Sequence, residues 1–175
     1  MNHESPVLSP QPQGFLAVAK NVGIKDDTLD LTVIHSSVRA RAAAVFTRSR
    51  FPGAPIIVGR AHISDGLAQA IVVNSKNANV ATGQRGIDDA VETCRLVAHE
   101  LGVDPRDVLP FSTGVIGRPL PMDKIRAGLQ GIRGELQPNN LELAARAIMT
   151  TDAYPKYTSR QVGSASSLAS PRALG

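Results

Sequence analysis

The chain has 175 residues, 42% of them hydrophobic and 19% charged, which suits one soluble domain with a sizeable core. Two Tyr, four Phe and no Trp leave the core to Ala, Val, Ile and Leu, and argue against base-stacking nucleic-acid modules, which need aromatic platforms. The net charge of +4 and pI near 9.6 come mostly from scattered arginines, and the one loose cluster, Arg39, Arg41, Arg48, Arg50 and Arg60, reads as a solvated basic face rather than a nucleic-acid patch.

The segment 1–13 holds three Pro, two Gln and two Ser and reads as a loose arm before a domain spanning 14–162. Phe15 to Ala19 forms a short apolar run, and Leu29, Leu31 and Val33 alternate with polar neighbours up to His35; both predict strands, joined through a Lys25-Asp26-Asp27 turn. Ala42 to Phe46 and Ile56 to Val58 are two further strand candidates, separated by Phe51-Pro52-Gly53-Ala54-Pro55. Ser64-Asp65-Gly66 reads as a turn or short helix before another strand, Ala70 to Val73. His35 and His62 fall at strand ends without a second ligand at metal spacing and read as structural histidines. With no zinc spacing, no GxGxxG and no P-loop, neither a metal nor a cofactor is expected.

After Val73 comes a dense polar stretch, Asn74-Ser75-Lys76-Asn77-Ala78-Asn79, whose asparagines can turn and cap backbone. Ile87, Ala90, Val91, Cys94, Val97, Ala98 and Leu101 then repeat at helical spacing, with Asp88 and Asp89 in the expected first turn and Gly102 at the end. Cys94 sits on the apolar stripe of that helix as a small core residue. Being the only cysteine, it excludes an intrachain disulfide and predicts a reducing, cytoplasmic setting. No apolar run approaches the ~18 residues of a membrane span, and the N-terminus lacks a signal-peptide layout.

An apolar approach, Val108 to Phe111, leads into Ser112-Thr113-Gly114-Val115-Ile116-Gly117, a small hydroxyl-bearing turn between glycines. Two successive amides at such a turn can point at one oxygen and hold an oxyanion, although the same residues also serve a plain strand-to-helix turn. Met122 to Leu129 reads as a short helix, and Asn140 as the cap of another in which Leu141, Ala144, Ala145 and Ile148 share a face. That helix stops at Thr150-Thr151-Asp152. The segment 163–175 lacks a period and reads as an irregular tail.

Three stretches together resemble one family, from about Gly14 to Val162. Val72 to Asn79 with Thr82-Gly83 is similar to its strand and Asn-rich loop, Ser112 to Met122 to its oxyanion segment, and Ala147 to Asp152 to its third block. The family is ornithine acetyltransferase, also called bifunctional glutamate N-acetyltransferase. The resemblance implies a mixed α/β sandwich with helices flanking β-sheets, cut from a self-processing precursor. This chain corresponds to the α chain; the β chain begins with the nucleophilic Thr, and αβ pairs assemble into a heterotetramer. The implied reaction moves acetyl from N-acetylornithine to glutamate through an acyl-Thr intermediate, without a cofactor. By the family pattern Thr113 and Gly114 map to the oxyanion hole, and Thr151, with Thr150 as the alternative, maps to the substrate-binding position. The chain alone is expected to be inactive. Related self-processing enzymes of this architecture hydrolyse rather than transfer, and a non-catalytic basic binding protein is a third, more distant expectation.

The pattern departs from the family at the C-terminus. The family continues with a strand, a Lys-Gly-x-Gly-Met segment and a Met-Ala-Thr cleavage site, whereas here no Lys follows Lys156 and no Thr follows Thr158. Ala169 to Gly175 back-translates, one base out of frame, to Gly-Val-Ala-Lys-Gly-Val-Gly, so a frameshift near codons 164–168 is expected, with an engineered or natural tail as its alternative. Resequencing that finds the stated frame uninterrupted, with no Lys-Gly-x-Gly frame beside it, ends the frameshift idea.

Overall fold

The computed structural model describes residues 11–162 and 165–169. Five of its strands are β1 (Phe15–Lys20), β2 (Leu31–Arg41), β3 (Leu67–Asn77), β4 (Val108–Val115) and the two-residue β5 (Gln137–Pro138). They form one sheet in the order β4-β3-β2-β1-β5. β1, β2 and β3 pair antiparallel in sequence, and β4 adds to β3 in parallel. A parallel neighbour needs a crossover, and α2 (Gly83–Leu101) supplies it. The other helices are α1 (Ala54–His62), α3 (Met122–Leu129) and α4 (Leu141–Ala147).

Alternation along the strands sends side chains to two layers. Val18, Val33, Val72 and Val108 join Val58 of α1, Val97 and Leu101 of α2 and Ile125 and Leu129 of α3 in the main core. On the opposite face Ala17 and Ile34 meet Leu141 and Ala144 of α4. The result is the mixed α/β architecture with helices on both faces that the resemblance implies. Burying a Val or Leu fully contributes about 1.5–3 kcal/mol, so the aliphatic main core fastens three helices to the sheet without Trp or Tyr.

The β1–β2 connection is organised by Asp30, which is fully buried. Its carboxylate accepts from the amides of Val22 and Ile24 at 2.7 Å each and of Lys25 at 3.2 Å. At the far end of β2 the pairing to β3 is irregular between His35 and Ala40, and Arg39 there makes two bonds to the buried Asp107, at 2.7 and 2.8 Å.

Five expectations are corrected. Ile56 to Val58 is not a strand but the middle of α1: Gly53 caps it in extended conformation and Pro55 opens its first turn, where a missing N–H is harmless. Ile56 and Val58 are buried while Ile57 is exposed, so the β-branched run is helical because of what it packs against. Ala42 to Phe46 belongs to no strand and is largely exposed. α2 starts at Gly83, which moves Asp88 and Asp89 out of its first turn. Asn140 occupies the N-cap of α4, but its side chain makes no cap bond and donates to the carbonyl of Ala17 at 3.1 Å. Within the segment read as an irregular tail, β7 (Ala165–Ala169) pairs antiparallel with β6 (Thr158–Val162), because backbone ladders form without a hydrophobic period. Residues 170–175, where the out-of-frame reading falls for the most part, lie outside the described residues, as does the arm up to residue 10.

Candidate functional site

The three asparagines of the polar stretch build a frame at the carboxyl ends of β3 and β4. Asn74 stands opposite Ser112, Ser75 opposite Thr113 and Lys76 opposite Gly114, and the ladder becomes irregular at Asn77. The Ser112 hydroxyl donates to Asn74 Oδ1, and Asn74 Nδ2 donates to the Asn77 carbonyl at 2.7 Å. Asn77 Nδ2 donates to the carbonyls of Arg118 and Pro119, both at 3.0 Å, while its Oδ1 accepts from the Asn79 amide at 2.9 Å. Asn79, fully buried, donates from Nδ2 to the Gly86 carbonyl at 2.9 Å and accepts from the Thr82 hydroxyl at 2.8 Å. Each side chain thus fixes a different segment: β4, the exposed turn beyond it, and the start of α2. Main-chain bonds from Ala78 to Val115 and from Gly117 to Val80 close the same frame.

Thr113 is half-buried and Gly114 exposed where β4 meets this frame. Gly114 has φ of +139°, and a Cβ there would lie 2.2 Å from the Lys76 carbonyl carbon and 2.5 Å from the Asn77 nitrogen. Only glycine fits, because the backbones of β3 and β4 are in contact at this point. Thr150 is half-buried and Thr151 exposed just past the end of α4. Lys76, opposite Gly114 in the ladder, reaches the residue before the second pair: its Nζ donates to the Met149 carbonyl at 2.6 Å. In sequence Lys76 is one member of the polar, family-like stretch, and spacing carries no signal of a partner 73 positions away.

The remaining ionisable candidates lie elsewhere. Cys94 is fully buried in α2, and burial pushes its thiol up to about 12, far from the range of a nucleophilic thiolate. His62 Nδ1 lies 2.8 Å from the Val108 carbonyl, while neither ring nitrogen of His35 meets a partner among the described residues. Among those residues no group of three His, Cys, Asp or Glu could hold a metal ion, and no helix is long and apolar enough to cross a membrane. A cleft of about 400 Å³ lies between Phe51, Ile57, Ala81, Thr82 and Ile87. It has no ionisable lining and includes none of Thr113, Gly114, Thr150 or Thr151.

The family model described as ArgJ family matches residues 16–170, a span that contains every element of this frame. The chain belongs to the ArgJ family. Among curated relatives it is 46% identical to Arginine biosynthesis bifunctional protein ArgJ 2 of Nostoc sp. over 95% of this chain and 43% of the relative. It is 42% identical to Glutamate N-acetyltransferase Oat2 of Streptomyces clavuligerus over 94% of this chain and 42% of the relative. The chain therefore spans less than half the length of these curated ArgJ-family proteins. Of solved structures, Arginine biosynthesis bifunctional protein ArgJ of Bacillus halodurans superposes with a TM-score of 0.82 at 35% identity, covering 90% of this chain and 84% of that one. Ornithine acetyltransferase of Mycobacterium tuberculosis, solved in complex with ornithine, gives 0.79 at 34% identity, covering 90% and 94%.

Proposed function

We propose that this chain is the α-chain part of a glutamate N-acetyltransferase that moves acetyl from N-acetylornithine to glutamate. The observation that carries this reading is the joining of Thr113-Gly114 to Met149-Thr150 through one lysine, in a chain of the ArgJ family. The lengths support it too. Curated relatives are matched over 43% and 42% of their length, but the solved chains over 84% and 94%, as expected if the family's proteins exist as two pieces.

In the proposed reaction the hydroxyl of a Thr on the second chain attacks the acetyl carbonyl of N-acetylornithine, with the free α-amine of that Thr taking the proton. The tetrahedral intermediate collapses, the proton passes to the departing ornithine amine, and acetyl remains on the Thr. Glutamate's amine then attacks the ester carbonyl, the bond from the Thr oxygen to the acetyl carbon breaks, and the proton lost by that amine returns to the Thr oxygen through the α-amine as N-acetylglutamate leaves. Each half-reaction creates one oxyanion, and Thr113 and Gly114 supply its hydrogen bonds. Gly114 contributes its amide, and in this proposal Thr113 contributes its hydroxyl in place of a second backbone amide. Thr151, or Thr150 beside it, binds the amino-acid portion of the substrate. The partner is the second piece of the same precursor, and two such pairs associate.

The test is coexpression of this chain with the portion of an ArgJ-family relative that lies beyond the matched region, followed by an assay of acetyl transfer. The wild-type pair is expected to transfer acetyl, and Thr113→Val, which keeps shape and removes the hydroxyl, is expected to lower kcat by about 10²–10³ with little change in KM. A fully active Thr113→Val would remove the oxyanion role. Absence of transfer in the wild-type pair would count against the enzyme itself.

A further inference from the structure

Lys76 does two things that conflict unless its side chain has a task. Its backbone has φ of +76°, in the left-handed region that a side-chain-bearing residue rarely adopts. Yet its four-carbon stem spans from the end of β3 to the Met149 carbonyl, where the ammonium donates at 2.6 Å. The stem starts opposite Gly114 and ends on the peptide that leads into Thr150. α4 itself packs on β1 and β2 and ends at Ala147, with Ile148 and Met149 still turning back on it through bonds to Ala144 and Arg146. Past that point the chain has no regular structure until β6. A cation also suits the negative end of a helix.

We propose that Lys76 is a positioning residue, which ties Met149 to the end of β3 and so sets the distance between Thr150-Thr151 and Thr113-Gly114. It touches neither substrate nor the reacting atoms. The role rests on the acetyltransferase reading of the site, and the tether itself is measurable without it. A hydrogen bond to a charged group is strong enough that its loss changes a local equilibrium by about tenfold or more. Lys76→Met keeps the stem and removes the ammonium, Lys76→Arg restores a donor, and Lys76→Gly removes the side chain while suiting the positive φ.

Two measurements decide it. In hydrogen exchange of this chain, amides 149–152 are expected to exchange about tenfold faster in Lys76→Met and Lys76→Gly, and to stay protected in Lys76→Arg. In the assembled two-chain enzyme, Lys76→Met is expected to raise KM for the amino-acid substrate about tenfold with kcat within about twofold, and Lys76→Arg to recover most of it. Unchanged exchange at 149–152 in both Lys76→Met and Lys76→Gly overturns the tether. A collapse of kcat at constant KM that Arg does not rescue overturns positioning in favour of direct chemistry. Should the wild-type pair show no acetyl transfer while exchange responds as stated, the tether stands and the acetyltransferase reading falls.

Discussion

At Gly114 the contact between β4 and the Lys76–Asn77 peptide leaves no room for a methyl group, and φ of +139° disfavours one as well. Gly114→Ala must push the two strands apart at the point where Thr113 is held. We expect it to lower stability by about 2–5 kcal/mol, read as a fall in Tm, and to remove acetyl transfer in the two-chain assay. Cys94 gives a contrasting test at the same scale. With its thiol pushed up to about 12 by burial, it should resist a thiol reagent at pH 8 in the folded chain and react fully once the chain is unfolded. Fast labelling of the folded chain would contradict its place in the core.

Among the elements, the loop between β1 and β2 depends on one carboxylate. Asp30→Ala strips three amides of their acceptor and is expected to cost about 2–4 kcal/mol, seen as a lower urea midpoint at constant slope. Asp30→Asn, which keeps one acceptor oxygen, should cost less. The periodic elements were legible in sequence because burial alone explains them: β1, the core of β3, most of α2, and α3 follow from the spacing of Ala, Val, Ile and Leu. α1 was missed because Ile56-Ile57-Val58 favours a strand locally, and only packing against α2 and β4 makes it helical. The candidate site was half legible. Thr113-Gly114 and Thr150-Thr151 could be singled out as blocks, and the asparagines as a group. The assignment of Asn74, Asn77 and Asn79 to three different segments could not be read, since side-chain bonds to distant carbonyls leave no periodic trace. The strand pairing of Ala165–Ala169 was hidden for a related reason: main-chain bonds, rather than spacing of apolar residues, define it.

For the whole molecule, stability is tied to pH through His35 on the central strand β2. Burial foremost, and Arg133 second, hold its imidazole below the usual histidine range. The neutral ring is thus favoured in the folded chain, and the unfolded chain takes up the proton first as pH falls. The His35 contribution is therefore fully present above about 6.5 and is lost as pH drops from there towards the folded value. Tm is expected to fall between pH 7 and 5, and His35→Phe, which cannot titrate, should flatten that part of the profile. An unchanged slope in the variant would assign the effect to other groups.

The bond from Asn140 to the Ala17 carbonyl joins positions 123 residues apart, and it holds α4 onto the first strand of the sheet. The Asn74–Asn79 frame closes over far shorter loops, through β3, α2 and β4, and nearby contacts form faster than distant ones. On a growing chain Thr113-Gly114 can be in place while α4 has yet to be synthesised. This chain's share of the proposed site is thus assembled in two acts, and the second is the arrival of Met149 at Lys76.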